Sequence, residues 1–135
     1  MGCFNRAQAA MALLAALSLC GAVAQAADSY PSKPTRMVIP YAAGGGPDVV
    51  ARILADKVTP GWGQNVVFDN RGGGGGGGVI GAAIVAKANP DGYTLLLHTA
   101  AISSMPYFYK SLPYDTARDL LPITLVAKNV CDGID

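Results

Sequence analysis

Hydrophobic and polar positions along this chain predict a unit of strand, turn and helix that occurs twice. A β-branched run at 36–40 leads through a glycine turn into a segment with apolar residues at helical spacing, 47–59. A second strand at 65–69 leads in the same way into a helix at 79–88, and a third strand follows at 93–98. The third strand is apolar almost throughout, so we expect it to be the most buried of the three. Strands that alternate with helices over short turns predict a parallel βαβαβ sheet with right-handed crossovers.

Proline and glycine residues set the expected boundaries of these elements. Pro47 suits the first turn of a helix, and residues 60–63, Pro-Gly-Trp-Gly, are expected to end that helix. Residues 89–92, Asn-Pro-Asp-Gly, predict a tight turn in which the glycine takes a positive φ.

The pattern changes beyond residue 104. Residues 105–115 have the composition of turns, 116–120 predict a short helical turn, and 123–127 predict a further strand. Residues 128–135 show no clear pattern.

Three loops follow the carboxyl ends of the predicted strands, at 41–47, 71–78 and 99–104, and two of them are rich in glycine. Ligands of open parallel sheets bind at that edge, so we expect the loops to converge there. A helix that begins after a glycine turn presents unpaired N–H groups and the positive end of its dipole. Such loops can hold a carboxylate without a basic side chain. Asp48 is expected to order the first loop as a hydrogen-bond acceptor rather than to contact an anion.

The first 26 residues have the features of an export signal. Arg6 is the one charged residue before Asp28, residues 9–19 are apolar, and 24–26, Ala-Gln-Ala, supply the small residues that signal peptidase requires. We therefore expect cleavage after Ala26 and a periplasmic protein. A retained membrane anchor and a lipoprotein signal around Cys20 are the alternatives that these residues leave open.

Charge and length narrow the function classes. The chain carries 10 basic and 9 acidic residues, and loss of Arg6 with the signal balances the two, which argues against nucleic-acid binding. The remainder is long enough for one small domain. Cys131 would be the one cysteine left, so we expect no internal disulfide.

No pattern typical of catalysis or of a metal site stands out. Residues 76–81 match the dinucleotide pattern G-x-G-x-x-G, but His98 and Thr99 stand where an acidic residue is expected about 20 residues on. His98 is the sole histidine, and neither Ser103 nor Ser104 lies in a G-x-S-x-G elbow. We expect a binding protein, not an enzyme, with no metal or other cofactor.

Four stretches, taken in order, resemble the extracytoplasmic solute receptors of tripartite tricarboxylate transporters, the Bug receptor family. The stretches are Pro40-Tyr-Ala-Ala-Gly-Gly-Gly-Pro-Asp48, Asp69-Asn-Arg71, Pro90-Asp-Gly-Tyr-Thr-Leu-Leu96, and Leu112-Pro-Tyr-Asp115 with Asp119 and Pro122. The resemblance extends from residue 30 to residue 127 and covers less than half of a typical family member.

The resemblance implies an α/β fold in which this parallel βαβαβ sheet is part of lobe 1 of a type II periplasmic binding-protein (Venus flytrap) fold. Residues 1–26 would be the signal peptide, 27–127 a partial first lobe and 128–135 a divergent tail. It further implies a monomeric receptor that binds a small carboxylate solute and delivers it to the membrane subunits of the transporter. The ligand-binding residues that it implies are Tyr41, Ala42, Ala43, Gly44, Gly45, Gly46, Asp48, Gly74, Gly75, Gly76, Gly77, Thr99, Ala100 and Ala101.

The sequence departs from the family pattern in two places, and these departures leave alternatives to a functional receptor open. The glycine loop after Arg71 is about two residues longer than the family pattern, which raises the entropy cost of ordering it. The family pattern also stops after Ala127, so we expect a truncated or frame-shifted receptor. The alternatives are a non-functional receptor remnant and, ranked below it, an exported nucleotide-binding or hydrolase-like enzyme.

Overall fold

The computed structural model describes residues 30–72 and 78–128. Three strands and three helices alternate along the chain. They are β1 (Thr35–Ile39), α1 (Gly46–Trp62), β2 (Val66–Asn70), α2 (Val79–Ala86), β3 (Thr94–Leu96) and α3 (Ala101–Phe108). The predicted signal peptide, the glycines 73–77 and residues 129–135 lie outside the described residues.

The strands form one parallel sheet in the order β2-β1-β3. Thr35 pairs with Val66 at the start of β2, and Arg36 pairs with Thr94 at the start of β3. Both neighbours of β1 therefore run in its direction, and all three strands end at the same edge. The predicted parallel α/β sheet is confirmed.

The core is built on both faces of β1. Met37 and Ile39 pack with Ala51 of α1 in one cluster. Val38 is fully buried and faces the opposite side, because side chains alternate along a strand. Gly81 of α2 lies against Pro40, so α2 covers this second face. The two crossovers thus lead in opposite directions along the sheet and place their helices on opposite faces, as crossovers of the same hand must.

The prediction that the third strand is the most buried is wrong. β3 spans only Thr94–Leu96, and all three of its side chains are half-buried. β1 is the buried strand instead, with four of its five residues buried. The difference follows from the strand order, since β1 has a neighbour on each side whereas β3 ends the described sheet.

The predicted end of the first helix at residues 60–63 is confirmed, although the helix runs to Trp62 and not to residue 59. α1 continues through Pro60 to Trp62, and Gly63 then closes it with φ 65° and an N–H bond to the Thr59 carbonyl. Pro60 lacks an N–H, so α1 loses one hydrogen bond in its last turn and still continues. A positive φ at the closing residue is the usual glycine role at a helix end.

The region after residue 100 departs furthest from the predictions. α3 occupies Ala101–Phe108, where turn chemistry was expected from residue 105. The expected turn at 116–120 is present, because the Asp119 N–H bonds to the Asp115 carbonyl at 2.9 Å. The strand expected at 123–127 is not formed, and Ile123 and Leu125 are 76% and 68% exposed. No strand pairs with this segment within the described part of the chain.

Candidate functional site

Three loops meet at the carboxyl edge of the sheet, as predicted from the parallel topology. The loop after β1 lies between the other two. A Cβ added at Gly72 would lie 2.6 Å from the Ala42 nitrogen, so the second loop passes directly against the first. On the other side the Tyr41 hydroxyl lies 2.7 Å from Thr99 Oγ1, which joins the first loop to the third. We call the described residues of these loops, 41–45, 71–72 with 78, and 97–100, the carboxyl-edge loops.

Asp48 holds the first of these loops in shape. Its carboxylate is 1% exposed, and Oδ2 accepts hydrogen bonds from the Gly44 N–H at 2.8 Å and from Arg52 Nε at 2.9 Å. Oδ1 accepts from Asn70 Nδ2 at 3.0 Å and from Arg52 Nη2 at 3.2 Å. The bonds from Arg52, then those from Gly44 and Asn70, lower the pKa of Asp48 from 3.8 to about 2. Asp48 thus makes the hydrogen bonds expected of an acceptor that orders the loop.

The first loop itself exposes main chain. Ala42, Ala43 and Gly44 are exposed, and their side chains are a methyl group or nothing. Gly44 has φ 80°, a conformation that residues with a Cβ rarely adopt. The Gly45 N–H bonds to the Ala42 carbonyl at 3.2 Å, which closes the turn before α1. A ligand at this edge would therefore meet backbone before it met a long side chain.

All three helices begin at this edge. Their N-cap residues are Gly45 for α1, Gly78 for α2 and Ala100 for α3, and none of the three makes a side-chain cap hydrogen bond. N–H groups in the first turn of a helix have no partner within the helix. Together with the helix dipoles, these groups make the edge attractive to a negative charge.

The arginines near this edge are paired with aspartates. Arg71 opens the second loop, but its Nε turns back to Asp69 Oδ1 at 2.7 Å. Asp69 also accepts from Arg36, at 3.0 Å from Nε and in a closer contact from Nη2. The hydrogen bonds from Arg36 and then Arg71 hold the pKa of Asp69 below its usual value. Attraction of an anion to the edge therefore rests on main-chain N–H groups.

Asn70 is a site residue that the sequence analysis did not single out. Its Nδ2 bonds to Asp48 Oδ1 at 3.0 Å and to the Tyr41 carbonyl at 3.4 Å, so it links β2 to the first loop. The available signal was its position: a polar side chain at the carboxyl end of a predicted strand. Sequence gave no sign of its partners, because those lie 22 and 29 residues away.

The residues implied as ligand-binding fall into two groups. Residues 41–46, Asp48 and residues 99–101 lie together at the carboxyl edge. Gly74–Gly77 lie outside the described residues. The binding role of both groups stays a prediction.

The side chains considered for catalysis are engaged elsewhere. Ser103 Oγ donates to the Ala100 carbonyl at 2.7 Å, and Ser104 Oγ donates to the Ala101 carbonyl at 2.9 Å. His98 Nδ1 lies 2.9 Å from the Thr99 carbonyl. Among the residues that the structure describes, no cluster of three or more His, Cys, Asp or Glu could hold a metal ion. In the same ranges, every helix is too short or too polar to cross a membrane.

Residues 50–131 match the tripartite tricarboxylate transporter family receptor, TctC. The match begins within α1 and includes β2, α2, β3 and α3.

Curated relatives match over most of this chain. Protein BugT of Bordetella pertussis is 42% identical over 106 residues, which cover 74% of this chain and 31% of BugT. The UPF0065 protein of the tcbD-tcbE intergenic region of Pseudomonas sp. strain P51 is 40% identical over 104 residues, 77% of this chain and 30% of that protein. The chain thus spans about 30% of the length of the relatives it matches.

Solved structures agree with the sequence relatives. The periplasmic binding protein BugD superposes with a TM-score of 0.62 at 47% identity over 67% of this chain and 29% of BugD. A Rhodopseudomonas palustris protein solved with adipate superposes with a TM-score of 0.60 at 36% identity, over 65% of this chain and 29% of that protein. MatC from Rhodopseudomonas palustris, solved with bound malate, superposes with a TM-score of 0.55 at 35% identity, over 67% of this chain and 30% of MatC.

Proposed function

Because this chain belongs to the tripartite tricarboxylate transporter receptor family, we propose that its carboxyl-edge loops bind a carboxylate group of a small organic acid. The protein would act in the periplasm as a monomeric solute receptor and deliver the acid to the membrane subunits of a tripartite tricarboxylate transporter. The mechanism is recognition without chemical change.

One observation carries this proposal: three helices without side-chain caps begin around one small edge, and the arginines nearby are bound to aspartates. The edge offers main-chain donors and the positive ends of helix dipoles, and the negative charge of Asp48 beneath the first loop is balanced by its ion pair with Arg52. An acid with an ionised carboxyl group meets these conditions better than a neutral or cationic solute.

The solved relatives support the choice of ligand class. One was solved with adipate and another with malate, and both ligands are dicarboxylic acids. The two superpose on about two thirds of this chain. We therefore propose a small dicarboxylate as the solute.

We further propose that this chain on its own binds such an acid weakly. The carboxyl-edge loops contact a ligand from one side only, and a ligand that stays half in water keeps most of its competing hydration. A dissociation constant in the millimolar range, equivalent to about 4 kcal/mol, is the expected strength.

An NMR titration of the purified protein tests this proposal. Malate and adipate are added to protein labelled with ¹⁵N, and adipamide serves as the neutral control that has the length of adipate. We expect amide shifts confined to 41–46, 78–80 and 99–102, saturating in the millimolar range for the two acids and absent for adipamide.

Two results would contradict the proposal. Equal shifts with adipamide would show that charge is not recognised, and shifts centred away from the carboxyl edge would place the site elsewhere. Gly45→Val serves as the matched variant, because a Cβ at Gly45 would approach the Ala42 carbonyl oxygen to 3.2 Å and disturb the turn. It should abolish the shifts. Micromolar binding would contradict the proposed weakness of the isolated chain.

A further inference from the structure

His98 is placed between two of the carboxyl-edge loops and has no role in the proposal so far. Its Nδ1 lies 2.9 Å from the Thr99 carbonyl oxygen and 3.4 Å from the Tyr41 hydroxyl. The ring also meets the Tyr41 ring edge-on, with centroids 5.5 Å apart. Its Nε2 is buried, and within the described residues it has no hydrogen-bond partner.

The Thr99 carbonyl fixes the tautomer of this imidazole. A carbonyl oxygen can only accept a hydrogen bond, so Nδ1 carries the proton when it lies 2.9 Å from one. The reverse tautomer would bring two lone pairs together at that distance.

The tautomer in turn sets the direction of the bond between Tyr41 and Thr99. The same Nδ1–H group is shared with the Tyr41 oxygen, which lies 3.4 Å away on the longer arm of a three-centre hydrogen bond and presents a lone pair to it. The Tyr41 proton is then directed to Thr99 Oγ1, 2.7 Å away. Thr99 accepts that bond, which leaves its own hydroxyl proton free to be donated.

Thr99 stands where such a donor can reach a ligand. It is exposed and directly precedes Ala100, the N-cap of α3. A hydroxyl that must donate favours a partner that only accepts, and an ionised carboxylate is such a partner.

We propose that His98 is a positioning residue that makes the Thr99 hydroxyl a hydrogen-bond donor toward the bound carboxylate. This inference rests on the proposed function of the carboxyl-edge loops. The relay runs from His98 Nδ1–H to the Tyr41 oxygen, from the Tyr41 O–H to Thr99 Oγ1, and from the Thr99 O–H to the ligand.

Gly78 keeps the imidazole in this position. A Cβ at Gly78 would lie 2.4 Å from His98 Nε2 and 3.2 Å from Pro40 Cβ, so the ring and Pro40 fill the space that a side chain would need. Gly78 also has φ 99°, which other residues rarely adopt. Gly78 thus lies against the imidazole and leaves the ring little room to turn.

The first arm of the test needs no ligand. Imidazole ¹⁵N NMR of the free protein at mildly alkaline pH reports which ring nitrogen carries the proton. We expect the Nδ1–H form. The Nε2–H form would overturn the relay, whether or not the protein binds malate.

The second arm compares malate binding by matched variants. His98→Asn keeps a donor near the position of Nδ1, His98→Leu keeps bulk without a donor, Thr99→Ser keeps the hydroxyl and Thr99→Val removes it. We expect His98→Leu and Thr99→Val each to weaken malate binding about five-fold, the equivalent of one neutral hydrogen bond. His98→Asn and Thr99→Ser should stay within about two-fold of the unchanged protein.

A double variant, His98→Leu with Thr99→Val, separates a relay from two independent effects. Members of one relay are not additive, so the double variant should bind no more weakly than either single one. Equal losses in His98→Asn and His98→Leu would overturn the inference. The amide spectrum shows whether His98→Leu folds. If it does not fold, the two Thr99 variants test the inference, since equal malate binding by Thr99→Val and Thr99→Ser also overturns it. Failure of the proposed function is distinct, because the unchanged protein would then give no malate shifts.

Discussion

The two ends of the sheet are held together by different parts of the chain. At the carboxyl end, glycine backbone and the buried Asp48 set the loops, and few side chains reach outward. At the amino end, side chains make the contacts. Tyr30 donates to the Gly92 carbonyl at 2.6 Å and packs against Trp62 and Tyr93, with ring centroids 6.3 and 5.1 Å away.

Side-chain contacts at the amino end hold the segment that precedes β1 in place. The Ser32 N–H donates to the Tyr93 hydroxyl at 2.8 Å, and the Lys33 ammonium lies over the Tyr93 ring. The Pro-Asp-Gly-Tyr stretch that contributes to the family resemblance therefore acts at the end of the sheet opposite the candidate site. Its role is structural.

The two ends of the sheet thus meet different requirements, stability at the amino end and accessible main chain at the carboxyl end. Aromatic side chains stabilise the amino end by burial and hydrogen bonds, and they would cover the main chain if they stood at the other end. The carboxyl end keeps its N–H groups accessible because glycine and alanine occupy the loops. Changes at the two ends should accordingly affect different properties.

The largest expected effect comes from Gly72→Ala at the carboxyl end. The added Cβ would lie 2.6 Å from the nitrogen and 2.8 Å from the Cα of Ala42. Backbone must shift to admit it, which costs about 1–3 kcal/mol in the free energy of unfolding. Urea denaturation measures this loss, and malate titration should show weaker binding because the first loop moves.

Gly61→Ala is the matched control for Gly72→Ala. Gly61 lies in the last turn of α1, and a Cβ there would meet no atom within 4 Å. Alanine is the better helix former, so the variant should gain up to about 1 kcal/mol with malate binding unchanged. If Gly72→Ala were as stable as Gly61→Ala, the close packing of the first two loops would be contradicted.

The next prediction concerns pH and the role of Asp48. Its folded-state pKa of about 2 lies below the ordinary 3.8, so the unfolded chain binds the proton first as the pH falls. The stability that Asp48 contributes is complete above pH 3.8 and is lost as the pH falls from there toward 2. Thermal unfolding from neutral pH down to this window should show a falling Tm.

Asp48→Asn tests whether this carboxylate causes the fall. The variant should have a lower Tm at neutral pH, because Arg52 loses its charged partner, and a flatter Tm profile below pH 3.8. Asp91→Asn at the amino end is the comparison, since the pKa of Asp91 is also lowered, chiefly by the Tyr93 N–H. A Tm profile flattened by Asp91→Asn and not by Asp48→Asn would contradict the assignment.

The sequence predicted the parts of the fold that depend on local pattern. β-Branched runs broken by glycine turns located β1, α1, β2 and α2 to within a few residues. Convergence of the carboxyl-edge loops followed from parallel topology alone, since parallel strands end at the same edge. Asp48 was expected as a loop acceptor, and its bond to the Gly44 N–H shows it in that role.

Features that depend on contacts between residues far apart in the chain could not be predicted from the sequence. The burial of β1 over β3 depends on strand order, which local pattern does not encode. α3 was missed because residues 99–104 were expected to form a loop and Pro106 lies in a stretch with turn composition, whereas Met105, 3% exposed, anchors the helix. The fit of His98 against Gly78 joins residues 20 apart in the chain, and a run of glycines gives no sign of it.

The smallest expected effect, and the most direct test of the contrast between the two ends, comes from removing one tyrosine hydroxyl at each. Tyr30→Phe loses the bond to the Gly92 carbonyl, and because Tyr30 is 54% exposed the cost should be only about 0.5 kcal/mol, with malate binding unchanged. Tyr41→Phe loses the bond to Thr99, so it should weaken malate binding by more than it lowers stability. Urea denaturation measures the stability of both variants, and malate titration measures their binding. If Tyr30→Phe altered malate binding as much as Tyr41→Phe did, the two ends would be coupled through β1, and the separation of structural from binding roles would not hold.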